Sequence, residues 1–491
     1  MTTLHAPAIN YLAILPFLFL TGAALFLLFL TALTKNRLST KVSSTVAVSA
    51  ALAGFVATFF QWFEINHHGA ITTASHAIAM DGFSAVMTAS ICSSLVFALL
   101  IAHDWQGRER FNGAEYQMLA LLATSGSVLM TQANDLVLVF LGLEILSIAL
   151  YCLIAFNRRR LKSSESSMKY FLLGGFAAAI FIYGAALTYG ATGTTNVLGI
   201  SYFLAANHLL HPGLLFVGGG LMMVAFAFKV QAVPFHFWSP DVYEGAPTPV
   251  TGFHASIVWG GAYAAMMRVM IGGLGTQIDT WRPIFFGLIV LSCLVGAAFA
   301  ILQGNAKRLL AYSSVSHSGF ILLGVWTGTA AGLSASAFYV LTYAPVVLGS
   351  FAIVALVGGV GDANHELEKY RGLARRNPWI GASLAVLLLS QLGVPLTVGF
   401  VGKFSVLSAT INAGDVYGAI VAIVSACIAA FAYLRWTTGL FADENLDTPP
   451  LVVPWASRVV ITLSVIYAIV FGIDPGLLTS IASHASLIFQ P

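Results

Sequence analysis

Three charged side chains stand where charge is expensive. Lys229 directly follows the apolar, Gly-rich run FVGGGLMMVAFAF, so it sits inside what otherwise reads as a membrane helix. A lysine at a helix centre costs ~2.5–3.5 kcal/mol on insertion scales. It therefore either does something there or snorkels from a helix end to the interface. Pro234, shortly beyond it, removes a backbone donor and clashes with the preceding turn, which breaks the helix beside the charge. Irregular backbone at membrane depth persists only when buried in protein or lining a water-filled cavity. A lysine beside such a break points to an ion or proton path. Lys403 repeats the pairing, following Pro395 in LGVPLTVGFVGKFSVLSATI. Glu144 lies near the middle of NDLVLVFLGLEILSIALYCLIAF, at roughly 15 Å depth. A lone carboxylate there takes up a proton unless a cation neutralises it; a neutral Glu hydrogen-bonded to a neighbouring helix is the structural alternative.

Other titratable groups are more ambiguous. His254 and His317 fall in apolar segments, where a histidine either relays protons near neutral pH or is a hydrogen-bonded core residue. His236, just past the first break, has the same two readings. Lys169, in SSESSMKYFLLGG, stands at the mouth of a span, open to snorkelling or a buried role. Arg268, near the end of its span, reads as an interfacial anchor.

The elements that must position these groups are membrane helices. Of 491 residues, 58% are hydrophobic and 8% charged, against roughly 25% charged in soluble domains. With ~20 apolar residues needed per crossing, an all-α integral membrane protein of about fourteen transmembrane helices is expected. The starts fall near Tyr11, Ser43, Gly82, Glu115, Asn134, Lys169, Pro212, Pro247, Pro283, Lys307, Ser334, Ile380, Val416 and Trp455. The seventh and twelfth of these are the broken ones. The first apolar run, Tyr11 to Leu33, is longer than a signal-peptide core and lacks a basic lead-in, so it should stay as a span. No soluble domain or long linker interrupts the chain, which is expected to be a single transmembrane domain over 1–491. Spans four to eight (114–271) and nine to thirteen (283–441) would form two five-helix repeats. Their odd number makes them inverted, as in many transporters.

Alternate loops collect Lys35, Arg37 and Lys41; Arg108 and Arg110; Arg158, Arg159, Arg160 and Lys162; Lys307 and Arg308; Lys369, Arg371, Arg375 and Arg376; and Arg435 and Arg458. The opposite loops hold only Arg282. Basic loops face the cytoplasm, so both termini are expected outside. The net charge of +3 has no basic run of the kind that binds nucleic acid. Cys92, Cys152, Cys293 and Cys427 lie far apart without CxxC spacing, and read as packing residues rather than a cluster, zinc site or redox pair.

Four stretches together, PFHFWSPDVYEGAPTPVTGF, KRLLAYSSVSHSGF, LGLEILSIALYCLIAF and LGVPLTVGFVGKF, resemble the antiporter-like membrane subunits of respiratory complex I. The likeness runs over nearly the whole chain. The wording SPDVYEGAP and the run LLGGFAAAIFIYGAALTYGATGTTN are similar to the shorter members of that family, without the larger sister's extra C-terminal spans and lateral helix. The resemblance implies a proton-translocating subunit of a bacterial plasma-membrane NADH-quinone oxidoreductase. Its functional pattern falls on Glu144, Lys169, Lys229 and Lys403. Relatives often place a central lysine in the eighth span, where this chain has Trp259, so His254 in the same helix is the candidate substitute. No cofactor is expected in this chain; the resemblance places NADH, FMN, iron-sulfur clusters and quinone in partner subunits. Nothing here resembles a nucleotide loop or haem ligand pair, so redox catalysis by the chain alone is not expected, and its partners should be the other complex subunits and the lipid bilayer. A cation/proton antiporter or membrane-bound hydrogenase subunit would share the same lysines, and a purely structural spacer would make the intramembrane charges dispensable.

Overall fold

The structure is a computed structural model and describes residues 9–34, 38–209, 212–443 and 451–488. Lys35, Arg37 and the two chain ends lie outside the described residues. Twelve helices among these residues are long and apolar enough to cross a membrane. Two further crossings complete the bundle. The fourth, Glu115–Gln132, starts beside the ends of the third and fifth spans, where Tyr116 packs edge to face on Phe156 and tilted against Trp105, and ends beside the Ile71–Met80 hairpin. The twelfth is split into Pro378–Leu392 and Val398–Asn412. The seventh, Pro212–Lys229, stops at the lysine itself; residues 230–238 are irregular, and a short helix Ser239–Gly245 follows.

Spans meet through small residues, the usual device where lipid removes the hydrophobic drive between helices. A Cβ on Gly184 of the sixth span would stand 2.7 Å from the Gly218 carbonyl oxygen of the seventh, so glycine permits that approach. The eighth span, Thr248–Gly273, is buried along its length and contains two π-helical stretches, His254–Val258 and Arg268–Gly273. Such bulges re-aim side chains and recur at functional positions. The eleventh, Ala330–Gly358, packs on the third, eighth and fourteenth.

Several elements differ from the sequence reading. The sixth span begins at Leu161, two turns before Lys169. Its polar opening SSESS is helical because Ser163, Ser166 and Ser167 donate to the carbonyls of Gly245, Asp241 and Tyr151. A ten-residue helix, Val197–Ala206, and an antiparallel hairpin, Ile71–Thr73 with Ile78–Met80, lie between spans and are too short for a hydropathy signal. Arg268 is not an interfacial anchor. It is 2% exposed and forks onto Asp81 at 2.8 and 2.9 Å, with two further bonds to the Thr131 carbonyl. Cys92 and Cys293 are buried packing residues, whereas Cys152 and Cys427 are exposed.

Candidate functional site

Lys229 ends its helix and reaches the fifth span, Leu136–Ile154. Its ammonium donates to Ser147 Oγ at 2.7 Å, makes a long 3.5 Å contact with the Tyr170 hydroxyl, and lies 5.1 Å from the Tyr170 ring centre. Ser147 stands one turn beyond Glu144 on the same face. Glu144 and Lys229 interact electrostatically but make no ion pair within 4.0 Å, and Glu144 Oε1 is buried without a partner. Among the described residues, the lysine is therefore held by a hydroxyl, one turn away from its counter-charge.

From Lys229 the polar chain runs through the sixth span into the eighth. The Tyr170 hydroxyl is 3.3 Å from His254 Nε2, and His254 Nδ1 is 3.5 Å from the Gln231 amide in the break. Gln231 donates to Tyr243 and accepts from Ser239. The break is fastened by side chains: Trp238 donates to the Phe228 carbonyl, Ser318 to the Val230 carbonyl, and the Val233 amide to Ser292. Beyond Tyr243, Ser314 bonds Tyr343 at 2.9 Å, and the Tyr343 ring packs 4.8 Å from His317.

His317 sits mid-way along the tenth span, Ala306–Trp326, held by Tyr339 at 2.6 Å and Tyr433 at 3.2 Å. Lys403 lies within its electrostatic reach. The Lys403 ammonium donates to the Leu392 carbonyl at 2.7 Å, capping the helix that the second break interrupts. Between His317, Tyr339 and Tyr343 and the helix ends flanking the break, at Ser390, Gln391 and Gly399, is a cavity of about 10 Å³, at the lower limit for one water. The Pro234 and Pro395 breaks thus each leave a buried lysine beside freed backbone.

The other sequence candidates fall elsewhere. Lys169 is 46% exposed and pairs with Glu165 at 2.8 Å and Asp241 at 3.1 Å, whereas its neighbour Tyr170 is buried. His236 lies at the edge of the break, its ring 6.2 Å from Tyr312. Trp259 is 1% exposed, its ring tilted 5.0 Å from that of Tyr343, and its indole N–H has no partner among the described residues. The residues that sequence reasoning missed are hydroxyls: Ser147, Tyr170, Tyr243, Tyr339, Tyr343 and Tyr433. Only Ser147 had a readable signal, its spacing from Glu144. Among the described residues no three His, Cys, Asp or Glu side chains converge as a metal site.

At the basic face a second cluster ties the breaks to their flanks. Asp362, in the linker after the eleventh span, is wholly buried and accepts from Arg160 at 3.0 Å, Lys307 at 3.4 Å, and the Thr248 amide and hydroxyl at 3.0 and 2.6 Å. Lys307, counted above among loop cations, is itself 0% exposed. Burial alone would raise the Asp362 pKa, but Lys307, His365 and Thr248 outweigh it and hold the carboxyl far below the usual carboxylate range. A depressed folded pKa contributes stability above the unfolded value of ~3.9, lost only as pH falls through the folded value. The Asp362 carboxyl itself should therefore stay ionised from pH 8 to pH 5. Asp362→Asn, which strands Lys307, is expected to cost ~3–5 kcal/mol. Thermal unfolding of the detergent-solubilised complex at pH 8 should show that deficit, and an Asp362→Asn complex as stable as the unsubstituted one would contradict the assignment.

A multi-pass bundle with two broken spans, each leaving a lysine buried beside a chain of histidine and tyrosine, is an antiporter-like membrane protein. The family model for the NADH:quinone oxidoreductase/Mrp antiporter transmembrane region matches residues 133–429. NADH-quinone oxidoreductase subunit N of Mycobacterium tuberculosis is 42% identical over 76% of this chain and 71% of its own. That of Salinispora arenicola is 36% identical over 99% of both. Among solved structures, a chain of respiratory complex I from Thermus thermophilus with bound aureothin superimposes with TM-score 0.81 at 31% identity, over 95% of this chain and 98% of that one. A chain of the Mrp complex from Dietzia sp. shares the fold, with TM-score 0.87 at 21% identity over 97% of both. This chain belongs to the subunit N family of NADH-quinone oxidoreductase, the antiporter-like subunits of complex I.

Proposed function

We propose that this chain is a proton-translocating membrane subunit of a bacterial NADH-quinone oxidoreductase. Electron transfer from NADH to quinone in partner subunits supplies the energy, and partner subunits carry NADH, FMN, iron-sulfur clusters and quinone. The chain lies in the plasma membrane with its basic loops inside and both termini outside. Spans four to eight and nine to thirteen act as two inverted half-units, one built around Lys229 and Pro234, the other around Lys403 and Pro395. The observation that carries the reading is the buried polar chain from Lys229 through Tyr170 to His254.

In this reading Lys229 alternates between Ser147 and Glu144. The two lie three residues apart, about 4.5 Å along the helix, within the swing of a lysine side chain. Paired with Glu144 the ammonium keeps its proton. Moved to a neutral hydroxyl it loses its counter-charge and yields the proton towards Tyr170 and His254, then His317 and Lys403. Lys169, with Asp241, forms the basic-face mouth. Carrying one charge against 100 mV costs ~2.3 kcal/mol, so the change at Lys229 must be driven from outside this chain.

The complex purified through this chain should contain NADH-oxidising and quinone-reducing subunits, and in proteoliposomes should acidify the lumen on NADH addition without requiring sodium. A cation/proton antiporter or hydrogenase subunit would purify with other partners. The route is tested by His254→Leu, expected to cut the pumping rate at least ~10-fold, while Trp259→Phe, which keeps an aromatic against Tyr343, should change it less than ~2-fold. The reverse ranking would move the central relay away from His254.

A further inference from the structure

A groove on the basic side of the bundle lies outside the proton route. It is a cleft of about 780 Å³ between the first, fourth and fifth spans, within the ~300–1,000 Å³ range of ligand sites. Leu25 and Leu28, Leu119 and Leu122, and Cys152 wall it, and Arg158 and Arg159 stand at its mouth. The Arg159 guanidinium is held 5.4 Å over the Phe111 ring. Among the described residues neither Arg158 nor Arg159 has a carboxylate within 4.0 Å, whereas the next residue, Arg160, is bonded to Asp362. Glu115 also borders the mouth, but its carboxylate is folded against Gly113, where an added Cβ would meet it at 2.1 Å.

Depth and chemistry together select the occupant. Leu122 is seven residues into the fourth span, roughly 10 Å below its start. One leaflet's hydrocarbon is about 15 Å deep. The groove therefore runs from headgroup level part-way down one leaflet and stops, too short for a spanning helix and long enough for the upper part of an acyl chain. Two uncompensated arginines above an apolar slot complement a phosphodiester on an acyl anchor. We propose that this groove is a binding site for an anionic phospholipid, with Arg158 and Arg159 holding the phosphate and one acyl chain lying along Leu25, Leu28 and Leu122.

The test uses the whole complex in neutral detergent with photoactivatable phosphatidylglycerol or phosphatidylcholine, each carrying a diazirine in its acyl chain. Phosphatidylglycerol should label the peptides around Leu25–Leu28 and Leu119–Leu122, and unlabelled phosphatidylglycerol should compete it away. The Arg158→Gln/Arg159→Gln complex should need roughly thirtyfold more lipid for the same labelling, the product of two headgroup-level charges. Equal labelling of the wild-type complex by both lipids would mean annular lipid only and would overturn the proposal. So would absence of labelling, and so would a cross-link from the native Cys152 to another polypeptide, which would assign the groove to a partner subunit. The lipid comparison on the wild-type complex decides the matter even if the double variant fails to assemble.

Discussion

Replacing Lys229 with methionine is expected to leave an assembled complex whose NADH-driven proton uptake falls by about a hundredfold or more. Methionine keeps the length and apolar stem of the side chain, so the packing on Tyr151 and Tyr170 survives. What goes is, among the described residues, the one group between Glu144 and His254 that can hold a proton as charge. The remaining members of that stretch are the hydroxyls of Ser147 and Tyr170, and an ordinary tyrosine titrates near ~10, about three units above neutral. A carrier populated so rarely cannot sustain turnover at that position. Lys229→Ala should give the same loss with a small additional cost from the vacated volume. The measurement is dye quenching in proteoliposomes, normalised to complex content by subunit composition. Undiminished pumping from an intact Lys229→Met complex would remove the residue from the mechanism.

Ser147 makes that result specific. If the lysine works by leaving Glu144 for a hydroxyl, the hydroxyl sets how long it stays away. The partly buried position of Glu144 then matters too: its one buried, unpartnered oxygen is the acceptor to which the ammonium would return.

The course of the spans was legible because hydropathy is a local property. Each crossing needs its own apolar run, and even the two breaks announce themselves as a proline within a few residues of a lysine. The site was legible only in its charges. Lys229, Lys403 and Glu144 stand out against apolar neighbours, whereas Tyr170 and Tyr339 are among 16 tyrosines in the chain with nothing local to mark them. Their role comes from which way the helix turns them: Lys169 is exposed while Tyr170, adjacent in sequence, is buried. Pairings across the fold were hidden for the same reason. Arg268 finds Asp81 at 187 residues' separation and Lys307 finds Asp362 at 55, so a charge near a span end looked like an anchor when it was one half of a buried pair.

That pair yields the second large effect. Asp81 caps the third span, accepting from the Ser84 amide at 2.8 Å, and receives both guanidinium branches of Arg268 as well as the Ile488 amide. One carboxylate thus fastens the third span, the second π-helical stretch of the eighth and the C-terminal segment. Removing one partner of a buried pair leaves the other charged and desolvated, at ~3–5 kcal/mol, whereas replacing both with apolar groups is often far milder. Arg268→Met alone should therefore reduce the amount of assembled complex severely, because ~3–5 kcal/mol is a large share of the ~5–15 kcal/mol that holds a typical domain. Asp81→Asn keeps a capping oxygen for the third span and isolates the loss of charge. Combining it with Arg268→Met should recover at least half the loss, a non-additivity expected for residues in contact. Native gel quantification of the complex in the two single variants and the double variant reads this directly. Losses that simply add would mean that the two side chains stabilise the bundle independently, and that the fork seen between them contributes nothing beyond its parts.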